Sequence, residues 1–417
     1  MWDIEKIRSS FAAFSTQNTN GGVFLDAPGG TQIPTCVTKA MADYMHHSCA
    51  NLGGFYPTSV ETTDQMARTR QLIKTFINAR FDAEISFGQN MTTLTFSMSR
   101  AIADQWQPGD EIIVTELDHE ANITPWRLVA AQKGVTVRQL DFDSESCQLQ
   151  LDRLESLLKS SRVRLIAITL ASNVCGSITD LERVVSLAKK YGTEVYVDAV
   201  HFAAHEKIDV EKLHCDYLVI SAYKLGGPHI GIFYGRKEAM DKLIPYKIAP
   251  APSEAPYCWE TGTQNFEAMA GVEAMLKHKA ALLGEYQDLG IALTNSMMAI
   301  KQHENRLKAY FLEKIAEIPE IIVYGISDET RLDQRTPTFG LSFANQDSAE
   351  VAKHLAQKGI YLGYGHFYVP SFITKLGLEK QNGIVRVGFA YYNTVDEIDF
   401  AIACFKEVLS RSCHPVA

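Results

Sequence analysis

The chain has 417 residues, 46% hydrophobic and 21% charged, with a net charge of −9. This composition excludes a disordered chain, and an acidic balance argues against a nucleic-acid-binding protein, which needs a basic surface. The apolar stretch at 165–171 is far shorter than the roughly 20 residues of a membrane span, and the opening residues lack the apolar core of a signal peptide. The eight cysteines form no C-x-x-C pair, which fits a reducing compartment. We therefore expect a soluble cytoplasmic protein that binds neither nucleic acid nor membrane.

The middle of the chain alternates short apolar strands with amphipathic helices. A continuous apolar run such as 164–171 is typical of a strand buried on both faces of a parallel sheet. The alternation predicts an α/β domain with a mostly parallel sheet, in which ligands bind beyond the carboxyl ends of the strands. Strands are predicted at 111–115, 135–141, 164–171, 194–198, 217–221 and 231–234, with helices at 126–133 and 180–191.

The last third of the chain has a different pattern. A long helical stretch is predicted at 272–315, strands at 339–343 and 384–389, and a helix at 396–409. Because helices and strands no longer alternate strictly, this part predicts a smaller α+β domain. We place the large domain at 20–270 and the small domain at 1–19 together with 271–417.

Two polar residues follow predicted strands where a cofactor would bind. Lys224, next to glycines at a strand end, could bond covalently to an aldehyde cofactor, although a solvated surface lysine fits the local pattern as well. Asp198 ends an apolar strand, where a buried carboxylate needs a partner. That partner could be a pyridinium nitrogen, while the alternative is an N-cap of the following segment.

Two more candidates lie at the starts of the segments that follow strands. Thr92 precedes a helical stretch, where hydroxyl and free N–H groups form a phosphate site, or serve only as a helix cap. His119 could stack on a flat cofactor ring, or be an ordinary loop histidine. It is not part of an H-E-x-x-H zinc site, because the second histidine is absent, and we expect no metal site.

Taken in order, these residues resemble the class V aminotransferase and cysteine desulfurase family of fold-type I pyridoxal-phosphate enzymes. The resemblance extends from about residue 24 to residue 387. Its most specific parts are the stretches 198–201, 221–231, 260–263 and 386–394. It implies a homodimer in which each chain has a large domain with a mostly parallel seven-stranded sheet and a smaller α+β C-terminal domain.

The resemblance also assigns roles around pyridoxal phosphate. The family's cofactor-binding lysine falls on Lys224, the aspartate that pairs with the pyridine nitrogen on Asp198, and the stacking histidine on His119. We predict that these three residues are catalytic.

The predicted phosphate site comes from several parts of the chain. The resemblance places phosphate ligands at Thr92, beside Met91 at the start of the same helix, and at Ser221. It also predicts that Thr263 reaches across from the second subunit. The residue before the lysine is often histidine in the family and is Tyr223 here, which can still donate one hydrogen bond to phosphate.

The predicted substrate site includes the residues that differ from the family pattern. Asn173 would lie near the cofactor O3′ and the substrate, and Arg386 would bind the substrate carboxylate with its planar fork. The family glutamine near O3′ is His201 here. Desulfurases carry a nucleophilic cysteine in a mobile loop soon after a Gly-His pair, and Tyr368 occupies that position, next to the predicted substrate.

The sequence therefore predicts a pyridoxal-phosphate enzyme that acts on a small α-amino acid, with β-elimination of a sulfur group as the favoured reaction. Aminotransfer, epimerisation and decarboxylating aldol-type chemistry remain open. So does a non-catalytic cofactor-binding or scaffold protein. A further alternative is a hydrolase or metal enzyme built from His119, Asp198 and His201.

Overall fold

A computed structural model describes residues 2–15, 22–159 and 162–412. The strands are β1 (Val23–Phe24), β2 (Ile85–Gly88), β3 (Glu111–Thr115), β4 (Thr136–Leu140), β5 (Val163–Thr169), β6 (Glu194–Asp198), β7 (Tyr217–Ser221), β8 (Gly231–Gly235), β9 (Ile321–Tyr324), β10 (Thr338–Phe343), β11 (Ile360–Tyr361), β12 (Gly363–Gly365) and β13 (Ile384–Gly388). The helices are α1 (Ile4–Ser9), α2 (Thr35–His47), α3 (Pro57–Ile77), α4 (Met91–Ala103), α5 (Thr124–Lys133), α6 (Leu151–Leu158), α7 (Leu181–Tyr191), α8 (Val210–Leu213), α9 (Lys237–Met240), α10 (Phe266–Ala280), α11 (Leu289–Ile315), α12 (Ser348–Gln357), α13 (Pro370–Leu376) and α14 (Val395–Ser412).

The large sheet has seven strands in the order β2–β8–β7–β6–β5–β3–β4. Only β8 runs antiparallel to its neighbours, and the other pairs are parallel. Strand β5 is buried along almost its whole length, as expected for a strand covered by helices on both faces. The predicted mostly parallel seven-stranded sheet is confirmed.

Helix α7, one of the helices that cover this sheet, has a capping side chain at its start and a glycine at its end. At the start of α7 the Asp180 side chain accepts a hydrogen bond from Arg183 N, and at its end Gly192 adopts a left-handed conformation. The buried residues of α7 recur at helical spacing, which turns one face of the helix to the core. They are Leu181, Val184, Val185 and Ala188.

The second domain is built on an antiparallel sheet in the order β12–β13–β10–β9. The helical stretch predicted at 272–315 is two helices, α10 and α11. A short turn separates them and ends at Gly284, whose φ of 123° and ψ of −164° are open to glycine but not to other residues. The uninterrupted helical stretch was therefore wrong, while the smaller α+β domain is confirmed.

Helix α11 connects two hydrophobic cores. The buried residues of α11 up to Ile300 belong to the core of the large domain. From Leu307 onward the buried residues of α11 belong to the second core, which also contains Val23 and Leu25. The division predicted at residue 270 falls inside α10 and stays a prediction. From the distribution of the cores, we propose that the small domain begins within α11 and also includes the first strand.

Among the described residues, no helix combines the length and the apolarity needed to cross a bilayer.

Candidate active site

A cavity of about 500 Å³ opens at the carboxyl ends of β3, β5, β6 and β7, with part of its wall contributed by the second domain. Topology explains the location, because parallel strands bring the residues that follow them to one edge of the sheet. Eleven predicted site residues line the cavity: Met91, Thr92, His119, Asn173, Asp198, His201, Ser221, Tyr223, Lys224, Tyr368 and Arg386. The predicted residue that does not line it is Thr263.

The start of α4 has the features of an anion site at one end of the cavity. Asn90 caps the helix by accepting a hydrogen bond from Thr93 N at 2.9 Å. The N–H groups of Met91 and Thr92 find no acceptor among the described residues, as is usual in a first helical turn. A Cβ on Gly231 would lie 2.5 Å from the Asn90 carbonyl carbon, so only glycine lets β8 approach this closely. Free N–H groups at a helix start favour a bound phosphate.

Lys224 projects from a short helical turn after β7 that ends at left-handed Gly226. Its ammonium group donates a hydrogen bond to Pro28 O and lies 4.9 Å from the ring centroid of Tyr223. Burial, and then the charge of Arg386, lower the pKa of Lys224 to about 7. A substantial fraction of the amine is therefore neutral and nucleophilic near neutral pH.

Ser221, which precedes that turn, and Tyr223, which lies within it, complete this wall. The Ser221 side chain is buried, and its hydroxyl has no hydrogen-bond partner within the described ranges. The Tyr223 ring stacks on His229, with centroids 4.9 Å apart and planes inclined by 13°. Both groups remain able to hydrogen-bond a ligand.

Asp198 is a buried carboxylate without a cationic partner in contact. It accepts a hydrogen bond from Val200 N at 2.9 Å and from no other group in the described part of the chain. Burial raises the pKa of Asp198 to about 6, against the lowering effects of that hydrogen bond and of Lys224. Such a group gains most from a positively charged partner. Neither His119 nor His201 hydrogen-bonds to it, so the geometry offers no aspartate–histidine pair of the hydrolase kind.

One ring nitrogen of His201 has no hydrogen-bond partner among the described residues and could bond to a ligand. Its Nε2 lies 3.0 Å from the Thr336 hydroxyl and 3.1 Å from the Thr338 hydroxyl, while its buried Nδ1 has no partner in the described residues. Thr336 can donate to Gly176 O at 3.3 Å, and Thr338 has no acceptor other than His201. If Thr338 donates its hydroxyl proton to Nε2, both threonine hydroxyl protons have an acceptor. Nε2 then carries no proton, so the proton of the neutral ring lies on Nδ1.

His119 forms another wall with Tyr368. Its Nδ1 accepts a hydrogen bond from Ala121 N at 3.0 Å. Burial, together with the charges of Lys224 and Arg386, lowers the pKa of His119 to about 4. The ring is therefore neutral at physiological pH, and its centroid lies 5.0 Å from that of Tyr368.

Arg386 brings a buried guanidinium from the second domain to the cavity. It donates to Asp26 Oδ1 at 2.7 Å and to Asn173 O at 3.1 Å, and its Nε is buried without a partner among the described residues. The guanidinium carbon lies 3.9 Å from the ring centroid of Phe367. A planar, incompletely satisfied guanidinium suits a carboxylate ligand.

The sequence did not point to three residues at this site: Asp26, His366 and Phe367. Asp26 lies in the stretch where the family resemblance begins, and His366 belongs to the Gly-His pair. Neither pattern indicated that Asp26 contacts Arg386 or that His366 lines the cavity. Thr263 is exposed, near a turn fixed by Glu260, which is buried against Arg70 at 2.9 Å. The contribution of Thr263 to a second subunit stays a prediction.

No cysteine lines the cavity among the described residues. Cys175, which lies close to Asn173 in sequence, is completely buried, and its Sγ lies 3.4 Å from the Ser177 hydroxyl. The described ranges also contain no cluster of three or more potential metal ligands.

These features fit pyridoxal phosphate. Free helix N–H groups and the Ser221 hydroxyl suit its phosphate, and the unpartnered Nδ1–H of His201 suits its ring oxygen. Asp198 suits its ring nitrogen, and Lys224 suits its aldehyde.

Known proteins are similar along almost the whole chain. The family model described as aminotransferase class-V matches residues 23–400. A cysteine desulfurase of Cronobacter sakazakii is 30% identical, over 96% of this chain and 97% of its own. The aminotransferase-like protein FGM3 of Gibberella zeae is 30% identical, over 98% and 99%.

Solved structures agree with this likeness. The apo structure of the cysteine desulfurase from Thermococcus onnurineus NA1 is 25% identical, with a TM-score of 0.87 and 98% of each chain covered. Membership of this family argues against the hydrolase and metal-enzyme alternatives. The chain belongs to the aminotransferase class-V family and is a pyridoxal-phosphate-dependent, cysteine desulfurase-like enzyme.

Proposed function

We propose that this enzyme cleaves the bond between the β-carbon and sulfur of a small cysteine-type amino acid and releases the sulfur as a small molecule. The observation that carries the proposal is Tyr368, whose ring centroid lies 5.0 Å from that of His119. The family resemblance assigns the position of Tyr368 to the nucleophilic cysteine of desulfurases. A phenol cannot accept a sulfur atom as a persulfide, because that step requires a thiolate.

Pyridoxal phosphate, when bound, supplies a cationic ring that withdraws electrons from the α-carbon of an amino acid. Lys224 would hold this cofactor and, once displaced by the substrate amine, would remove the α-proton. Its lowered pKa keeps part of the amine unprotonated, as a base near neutral pH must be. Asp198 would keep a proton on the ring nitrogen, with its own negative charge stabilised by that cation.

Other side chains would orient the two ligands. Arg386 would bind the substrate carboxylate with its unpartnered Nε edge, which sets the direction of the remaining bonds at the α-carbon. His119 would cover one face of the ring as a neutral imidazole. Asn173 would stay close to both ligands, since its backbone oxygen already contacts Arg386.

The phosphate would be held by α4 and the turn after β7. Met91 and Thr92 would donate their free N–H groups, and Ser221 and Tyr223 their hydroxyl groups. We propose that Thr263 of a second copy completes this site in a homodimer, and that the enzyme works in the cytoplasm on a small amino acid.

Aminotransfer is the second candidate reaction, because a relative that is 30% identical is named an aminotransferase-like protein. Both reactions begin with removal of the α-proton. In β-elimination the bond between the β-carbon and sulfur then breaks, whereas in aminotransfer that bond stays intact and the amino group is left on the cofactor. Aminotransfer needs a keto-acid co-substrate, whereas β-elimination needs only the amino acid.

A screen of amino acids tests the proposal. Without added keto acid, holoenzyme should form keto acid and ammonia, together with sulfide from cysteine, cysteine persulfide from cystine, or the corresponding thiol from an S-substituted cysteine. Turnover only when a keto acid is added would favour aminotransfer, and carbon dioxide release would favour a decarboxylating reaction. Inversion at the α-carbon would favour epimerisation, and no spectral change with any amino acid would favour a non-catalytic role.

A further inference from the structure

The segment that replaces the sulfur-carrying loop has an unusual backbone. Phe367 and Tyr368 are consecutive non-glycine residues with left-handed φ angles of 47° and 59°. Residues other than glycine rarely adopt this conformation, because the Cβ atom crowds the backbone, so surrounding contacts must hold it. Strain of this kind, when it borders a cavity, points to a segment that is positioned for a task.

Contacts with the large domain hold the segment closed. Phe367 O accepts a hydrogen bond from Asn173 Nδ2 at 3.0 Å, and Tyr368 O accepts one from Glu120 N at 2.8 Å. The next residue, Val369, is completely buried in a cluster between the two domains. These contacts make the segment a wall of the cavity, unlike a loop that travels with bound sulfur.

The backbone also fixes the proton of His366. Tyr368 N donates to His366 Nδ1 at 3.0 Å, and a nitrogen that accepts this hydrogen bond cannot hold a proton of its own. The proton therefore lies on Nε2. His119 is fixed in the same way by Ala121 N, so two imidazoles with the same tautomer flank Tyr368, with centroids 5.0 and 5.9 Å from its ring.

His366 is free to meet a ligand. It is exposed and lines the cavity, and its Nε2–H has no acceptor among the described residues. A neutral imidazole is a poor source of protons but a good hydrogen-bond donor, and it favours a group on which negative charge develops. In β-elimination that group is the departing sulfur.

We propose that His366 contacts the substrate and that its Nε2–H donates a hydrogen bond to the sulfur that leaves the β-carbon. The inference rests on the proposed β-elimination. The electrons of the α-C–H bond form the double bond between the α- and β-carbons, and the electron pair of the C–S bond leaves on sulfur. His366 keeps its proton throughout, and the released thiolate is protonated by water.

Two variants separate this role from a structural one. In His366→Asn, the amide oxygen can accept the hydrogen bond from Tyr368 N, as in an Asx turn, while the imidazole N–H is lost. His366→Ala removes both. Each holoenzyme is assayed for keto-acid release from S-substituted cysteines whose leaving thiols span a range of basicity, with kcat and KM measured separately.

The proposal expects a loss that grows with the basicity of the leaving thiol. His366→Asn should lower kcat roughly tenfold for an S-alkyl cysteine and leave kcat for an S-(nitrophenyl) cysteine unchanged, with KM little altered. An equal loss for every substrate, or an unchanged Asn variant beside an impaired Ala variant, would show that His366 only shapes the turn. If the unaltered enzyme releases keto acid from none of these substrates, the proposed elimination fails and the role of His366 with it.

Discussion

The surroundings of Lys224 lower the pKa of its side chain. Burial and the neighbouring Arg386 lower the pKa of Lys224 to about 7, whereas an exposed lysine has a pKa near 10.4. Because only the neutral amine attacks an aldehyde, pyridoxal phosphate should attach to cofactor-free protein faster as the pH rises through about 7, and no faster well above it. Absorbance after rapid mixing measures the rate.

The pH dependence of cofactor attachment can also be measured in a variant that changes the charge beside Lys224. Arg386→Gln removes a cation that lowers the Lys224 pKa, so the midpoint of the rate profile should move to higher pH. A wild-type midpoint near that of a free lysine, or no movement in the variant, would contradict this account of the electrostatics.

Lys224 and Asp198 also allow direct tests of their roles. Lys224→Ala should fold but lose the yellow cofactor adduct, and borohydride reduction of the wild type should place the cofactor on this lysine by peptide mapping. Finding it on any other lysine would overturn the assignment of the site.

Asp198→Asn should keep the cofactor bound and slow turnover by roughly 100-fold or more, because an amide carries no charge to stabilise a protonated ring nitrogen. The bound cofactor's absorbance and kcat measure the two effects separately. Near-normal turnover in this variant would mean that the ring nitrogen is not protonated by Asp198.

At the scale of elements, the closed position of the segment 365–369 should depend on the hydrogen bond from Asn173. Asn173→Ala removes the hydrogen bond to Phe367 O, and one bond of about 1 kcal/mol corresponds to roughly a fivefold change in local opening. Hydrogen exchange should therefore accelerate at the Glu120 amide, which bonds to the same segment. Unchanged exchange there would show that the segment is held by its other contacts.

Local sequence patterns predicted six of the seven strands of the large sheet and the edge of that sheet where the site lies, but not β2 or the helices α2, α3 and α12. Helix α7 was readable because its cap, its glycine stop and its apolar spacing all agree. The antiparallel direction of β8 was not readable, since a short apolar strand looks the same in either direction. The ion pair of Asp26 and Arg386 joins residues 360 positions apart, and no local pattern reports such a contact.

At the scale of the whole molecule, the phosphate site should need two chains. Thr263 is exposed and lies outside the cavity of its own chain, so Thr263→Ala should weaken cofactor binding only by acting on a partner. Thr261→Ala, also exposed in the same turn, is the control. A cofactor titration with sedimentation measures both properties, and a monomer that binds cofactor fully would contradict the prediction.

Release of sulfur as a small molecule is the central claim, and the fate of cysteine sulfur tests it most directly. Holoenzyme is incubated with cysteine, the product is identified, and the intact protein is weighed by mass spectrometry. The account predicts pyruvate with free sulfide, and a protein of unchanged mass. Alanine as the product, with one added sulfur atom that maps to Cys175 or another cysteine, would contradict it.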